Sequence, residues 1–124
     1  MTDEEYSKLF NPIADGIRDK SRRRQAQTRE CKRVLDEKIA PAIEQAKNNV
    51  AVKGEWMEFS SNCIRIQTDE IQFTCSGDTV EIFTKIGRSE SSDLVPTRDV
   101  SEELIAEKIA RFFRRLYNLP TPED

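Results

Sequence analysis

Tyr6, Leu9, Phe10, Ile13 and Ile17 recur at i, i+3, i+4, i+7 and i+11, the stripe of an amphipathic helix. Pro12 falls inside the stripe, and Asn11 can cap a new helix that has Pro12 at its first position. The pattern therefore predicts a long N-terminal helix, broken or kinked at Pro12. From Ile13 to about Asn49 the residues are strong helix formers, with Gly16 and Pro41 the exceptions. The segment SRRRQAQTRE, 21–30, has Ala26 as its one apolar residue, so it predicts a solvated strut. Beyond it Cys31, Leu35, Ile39, Ala42 and Ala46 rebuild an apolar seam, with Val34, Ile43 and Val50 beside it.

Residues 55–86 change period from helical to alternating. Strands are expected near 55–60, 63–68, 71–76 and 79–86, with two-residue turns at Ser61-Asn62, Asp69-Glu70 and Gly77-Asp78. In that register Phe59 faces Ile64, Met57 faces Ile66, Ile66 faces Phe73, Ile64 faces Cys75, Cys75 faces Val80 and Phe73 faces Ile82. All these pairs share one face, the signature of an antiparallel meander. The other face carries Glu58, Arg65, Thr74 and Glu81 in one row, with Arg65 set to pair with Glu58, and Trp56, Gln67, Gln72 and Phe83 in a second. Residues 88–98 read as a polar loop. A last helix starts near Asp99 or Ser101, capped by Ser101 and stapled by Val100 against Ile105. Its apolar face is Ile105, Ile109, Phe112, Leu116 and Leu119, widened by Leu104, Phe113 and Tyr117, and Pro120 and Pro122 stop it.

The fold expected is thus α+β: a long N-terminal helix, a four-stranded antiparallel β-meander, and a C-terminal amphipathic helix packed on the sheet. Residues 1–30 form a helical arm suited to dimerisation or partner binding, and residues 31–124 an α-β4-α core domain. A length of 124 residues suits one core.

Charge and chemistry narrow the function. Charged residues make up 35% of the chain and apolar ones 36%, and no apolar run approaches a membrane span. The start, MTDEEYSKLF, lacks the features of a signal peptide, so a cytoplasmic protein is expected. Histidine is absent, which removes the commonest general base, the Ser–His and Cys–His pairs and most zinc sites. Cys31, Cys63 and Cys75 are odd in number and form no CxxC pair, which suits a reducing compartment. Cys75 reads as a core filler, Cys31 as part of the helix seam and Cys63 as an outer-face residue, none of them reactive. Asp69-Glu70 and Asp3-Glu4-Glu5 are adjacent acids rather than coordination loops. No catalytic residue, metal site or cofactor is called for.

The net charge of −3 is uneven. Residues 18–38 hold nine basic and four acidic side chains, and residues 55–103 four basic and eleven acidic. Arg22, Arg23, Arg24, Arg29, Lys32 and Arg33 could therefore neutralise phosphates, although Glu30, Asp36 and Glu37 lace the same helix. Lys108, Arg111 and Arg115 make a second basic stripe, suited to a helix C-terminus. Exposed aromatics at Trp56 and Phe83 could stack bases, but their sheet face is near neutral, and cover by the chain's own helix or by a second subunit suits them better.

The detached N-terminal stripe is the sharpest functional feature. A single helix over residues 12–49 would be about 57 Å long, so the stripe either projects toward a partner or bends near Gly16 or Ser21 and returns onto Trp56 and Phe83. The expected function is a non-enzymatic protein-interaction module, a small adaptor, regulator or inhibitor, that self-associates as a homodimer. Its interface candidates are Tyr6, Leu9, Phe10, Ile13, Ile17, Trp56 and Phe83. The alternative is a nucleic-acid-associated protein using the basic helix around residues 22–33. An enzyme using carboxylates or Lys85 is the third reading.

Overall fold

The computed structural model describes residues 1–121. Residues 3–50 are one helical run: α1 (Asp3–Val34), a π-helical turn (Leu35–Ile39) and α2 (Ala40–Val50). The start is set by Thr2, whose hydroxyl accepts the Glu5 N–H at 3.2 Å, satisfying one of the donors that a helix leaves free at its first turn. Asn11 therefore caps nothing, and Pro12 lies inside α1. The π turn has a local cause. Pro41 carries no N–H for the Glu37 carbonyl, so the i→i−4 ladder is already interrupted there. The Ala40 N–H reaches instead to the Leu35 carbonyl, five residues back. That extra residue lets Val34, Ile39, Ala42 and Ile43 all enter the core.

The sheet has five strands in the order β1 (Glu58–Phe59), β2 (Cys63–Ile66), β3 (Asp69–Ser76), β4 (Thr79–Ile86) and β5 (Ser89–Pro96), each antiparallel to its neighbour. The four-stranded expectation is corrected by β5. Its residues SESSDLVP show no apolar alternation because the strand lies at a sheet edge and nearly every side chain is exposed. Gly87-Arg88 makes the turn, with Gly87 at φ 61°, a conformation glycine adopts without steric cost. A polar strand ending in proline also blunts the sheet edge against pairing with another chain.

Two of the expected registers hold: Phe59 faces Ile64, and Cys75 and Phe73 face Val80 and Ile82. The middle one is displaced. The β2–β3 turn is Gln67-Thr68, not Asp69-Glu70, so Ile64 faces Ile71 and Ile66 faces Asp69. Gln67 takes the left-handed conformation, φ 56°. Asp69 accepts the Gly87 N–H at 2.7 Å, and the Phe73 N–H donates to the Asn62 carbonyl at 2.8 Å. These bonds move the turn back by two residues and the pairing by four from what the hydrophobic pattern alone suggests. The displacement is even, so every side chain keeps its face.

The inner face, Ile64, Ile66, Ile71, Phe73, Val80 and Ile82, packs against the helical run and α3 (Glu102–Leu116) in one core. Ser101 caps α3 through the Leu104 N–H at 3.0 Å, as expected. The helix ends at Leu116, earlier than the prolines. Asn118 at φ 52° turns the chain, and the Leu119 N–H bonds the Arg114 carbonyl at 2.8 Å, a Schellman closure. Leu119 is therefore exposed beyond the helix rather than on its apolar face. Pro122, the second expected stop, lies outside the described residues.

The three cysteines are not independent. Cys31 and Cys75 form a disulfide that ties the end of α1 to β3 with a Cα–Cα separation of 5.4 Å. Cys63 stays free and buried.

Candidate functional site

Residues 1–29 are all exposed, and α1 is about 48 Å long at 1.5 Å per residue for its 32 residues. The helix runs unbroken through Gly16 and Ser21, so the stripe projects rather than folding back. Tyr6, Leu9, Phe10, Ile13 and Ile17 are 47–62% exposed. Tyr6 and Phe10 stack with ring centroids 6.1 Å apart on one face of the helix. Fully burying side chains of this kind is worth about 1.5–3 kcal/mol each, and the chain's own core covers none of the five. Contiguous exposed apolar surface of this size is characteristic of an interaction site.

Trp56 and Phe83 are not part of one row. Trp56 lies in the connection before β1 and is 56% exposed. Phe83 is half-buried on the outer sheet face between Gln72 and Ser92. The displaced β2–β3 register removes Gln67 from this row and places Cys63 in it. The charged row is also rebuilt. Glu58, Arg65, Glu70, Lys85 and Glu90 succeed one another across all five strands, alternating in sign. Arg65 donates to Glu70 at 3.1 Å rather than to Glu58. This face is therefore a laced, charge-balanced surface, and Arg65 and Glu70 are spent on each other.

The basic residues of α1 divide into two groups. Arg33 donates to Glu30 at 2.7 Å and to Glu37 at 3.1 Å, and the hydrogen bond from Arg33 holds the Glu30 carboxyl below its ordinary value. Among the described residues no carboxylate lies within 4.0 Å of Arg22, Arg23, Arg24, Arg29 or Lys32. Lys108, the first residue of the second basic stripe, donates to Asp93 of β5 at 3.2 Å. Together with Arg111, Arg115, Ser91 and Thr84 it lines a cavity of about 70 Å3 on the inner face. That ion pair was not legible without β5. An apolar groove of about 400 Å3 lies between α2 and α3, lined by Ala42, Ala46, Val50, Ile109, Phe113 and Leu119. It combines residues about 60 positions apart in the chain, and no local pattern announces it.

The acids at Asp69 and Glu70 are engaged by Gly87 and Arg65. Burial pushes the Cys63 thiol above its ordinary pKa, which lowers its thiolate content at neutral pH. Among the described residues no helix is long and apolar enough to cross a membrane. Comparison of the chain with protein-family models, with curated proteins and with solved structures finds no match. The site's geometry and chemistry therefore stand as the basis for function.

Proposed function

We propose that this protein is a non-enzymatic interaction module that self-associates through the exposed stripe of α1. What supports the reading is five large apolar side chains held on one projecting helix, each about half exposed or more, with none of the described residues returning to cover them. Water contact with such a stripe is unfavourable, and a second amphipathic helix is the simplest surface that removes it. Light scattering after size exclusion should give a dimer or larger assembly for the full chain at tens of micromolar. Phe10→Glu with Ile13→Glu should return it to a monomer while leaving the fold intact, because both side chains lie outside the core. A monomeric wild-type chain sinks the proposal.

A second reading, nucleic-acid association through α1, is favoured by Arg22, Arg23, Arg24 and Arg29, which are exposed and have no carboxylate within 4.0 Å among the described residues. No aromatic side chain interleaves with them, so such binding would be to phosphates and not to bases.

A further inference from the structure

The spacing of the stripe contains more than an apolar face. Tyr6, Phe10, Ile13 and Ile17 are separated by four, three and four residues, the a/d spacing of a coiled-coil seam. That series reads the same from either end. If a second copy of α1 lies against the first in the opposite direction, centred between residues 11 and 12, Tyr6 meets Ile17 of the partner subunit and Phe10 meets Ile13 of the partner subunit. Each large aromatic ring is then matched with a smaller β-branched side chain in every apolar layer. The next seam positions outward are Asp3 and Lys20, and the same symmetry sets Asp3 of one chain against Lys20 of the other at both ends. The seam thus has four apolar layers closed at each end by a pair of opposite charge.

We infer that two copies of this chain pair antiparallel through residues 2–21, from the cap of α1 onward, the direction being set by Asp3 and Lys20. In a parallel pair Asp3 faces Asp3, Lys20 faces Lys20 and Arg24 faces Arg24, and like charges directly opposed are unfavourable. Sliding the antiparallel pair by one heptad sets Phe10 against Lys20 and Tyr6 against Arg24. The flanks of the seam do not oppose the pairing, since Ser7, Ala14, Gly16 and Ser21 are small and even a Cβ added at Gly16 would meet no other part of the fold within 4 Å. Pro12 falls on the side away from the seam, where its missing hydrogen bond faces water. The overlap is about 30 Å long at 1.5 Å per residue. It ends before Arg24 and Gln27, where α1 first approaches its own sheet near Gly77. The two domains therefore sit at opposite ends of the helical pair and do not collide.

The inference rests on self-association through the stripe, and one set of full-length variants separates the two. In sedimentation equilibrium, Asp3→Lys and Lys20→Asp should each weaken the dimer about tenfold, because an attraction becomes a repulsion at two symmetric places. The double variant should recover an affinity near that of the wild type. Chains with Asp3→Cys, mixed with chains with Lys20→Cys and oxidised, should form a mixed disulfide dimer that neither chain forms alone. A monomeric wild type defeats the proposed function and this inference together. A dimer in which the double variant fails to recover, or in which Asp3→Cys chains link to one another, overturns the antiparallel arrangement alone. A dimer indifferent to both charge changes but lost on Ala46→Arg would place the stripe in the groove between α2 and α3 and overturns it equally.

Discussion

Phe73 is 1% exposed and lies opposite Ile82 on the inner face, whereas its neighbour Gln72 points to the outer face beside Phe83. A large-to-small change in a packed interior loses transfer energy and leaves a cavity. Phe73→Ala should therefore cost about 3–5 kcal/mol, and Gln72→Ala less than about 1 kcal/mol, in denaturant unfolding. Equal losses would contradict the observed faces. These two residues were legible in the sequence because alternation has a period of two and needs only a few neighbours to be read. Gln67 was not. Its left-handed backbone is required by the turn, and nothing in a glutamine side chain announces that requirement.

At the scale of elements, the disulfide between Cys31 and Cys75 is the clearest departure from expectation. The residues are 44 positions apart, one on a helix and one on a strand, and the pattern within either element says nothing of the other. Unfolded without reductant, the protein should titrate one thiol, Cys63, and after reduction three. Closing a loop of 44 residues restricts the unfolded chain, so reduction should lower the unfolding free energy by roughly 4 kcal/mol. Three thiols titrating without reductant would show that the link does not form. The edge strand β5 leaves no mark in the sequence for a related reason. A strand exposed on both faces carries no hydrophobic alternation, and its existence depends on β4 offering a free row of backbone groups. Once β5 is in place, Asp93 comes within reach of Lys108, and a stripe that resembled a helix-end charge cluster becomes a link between α3 and the sheet edge.

Across the whole molecule, charge is segregated: α1 carries the basic segment and the sheet region the acidic one. If nucleic acid binds, it should bind the arm, without sequence preference and with an affinity that falls steeply as salt rises, since released counterions drive it. Arg22, Arg23 and Arg24 changed together to Ala should weaken that binding and flatten the salt slope, whereas a change at Trp56 should do little. Anisotropy titrations with random single- and double-stranded oligonucleotides decide it. Tight binding that survives the triple change but is lost with Trp56 would transfer the site to the sheet side. Self-association and this electrostatic reading use different stretches of the same helix. The stripe ends at Ile17, and the arginine run of the electrostatic reading begins at Arg22.

The α+β class, the helix caps at Ser101, the outer turns of the meander and the apolar stripe of α1 were determined by the sequence alone. Each depends on interactions between residues only a few positions apart: a hydroxyl and the N–H three residues on, a glycine in a two-residue turn, side chains repeating along one helix. The fifth strand, the even displacement of β2 against β3 and the Cys31–Cys75 link required the tertiary structure. They depend on distant partners: a neighbouring strand with open hydrogen-bonding groups, an Asp69 carboxylate held by Gly87, a cysteine brought across from another element. Whether the stripe projects belonged to the same class. Its spacing sets out an amphipathic helix, but only the packed core, full without Tyr6, Leu9, Phe10, Ile13 or Ile17, leaves that helix extended and its apolar face open.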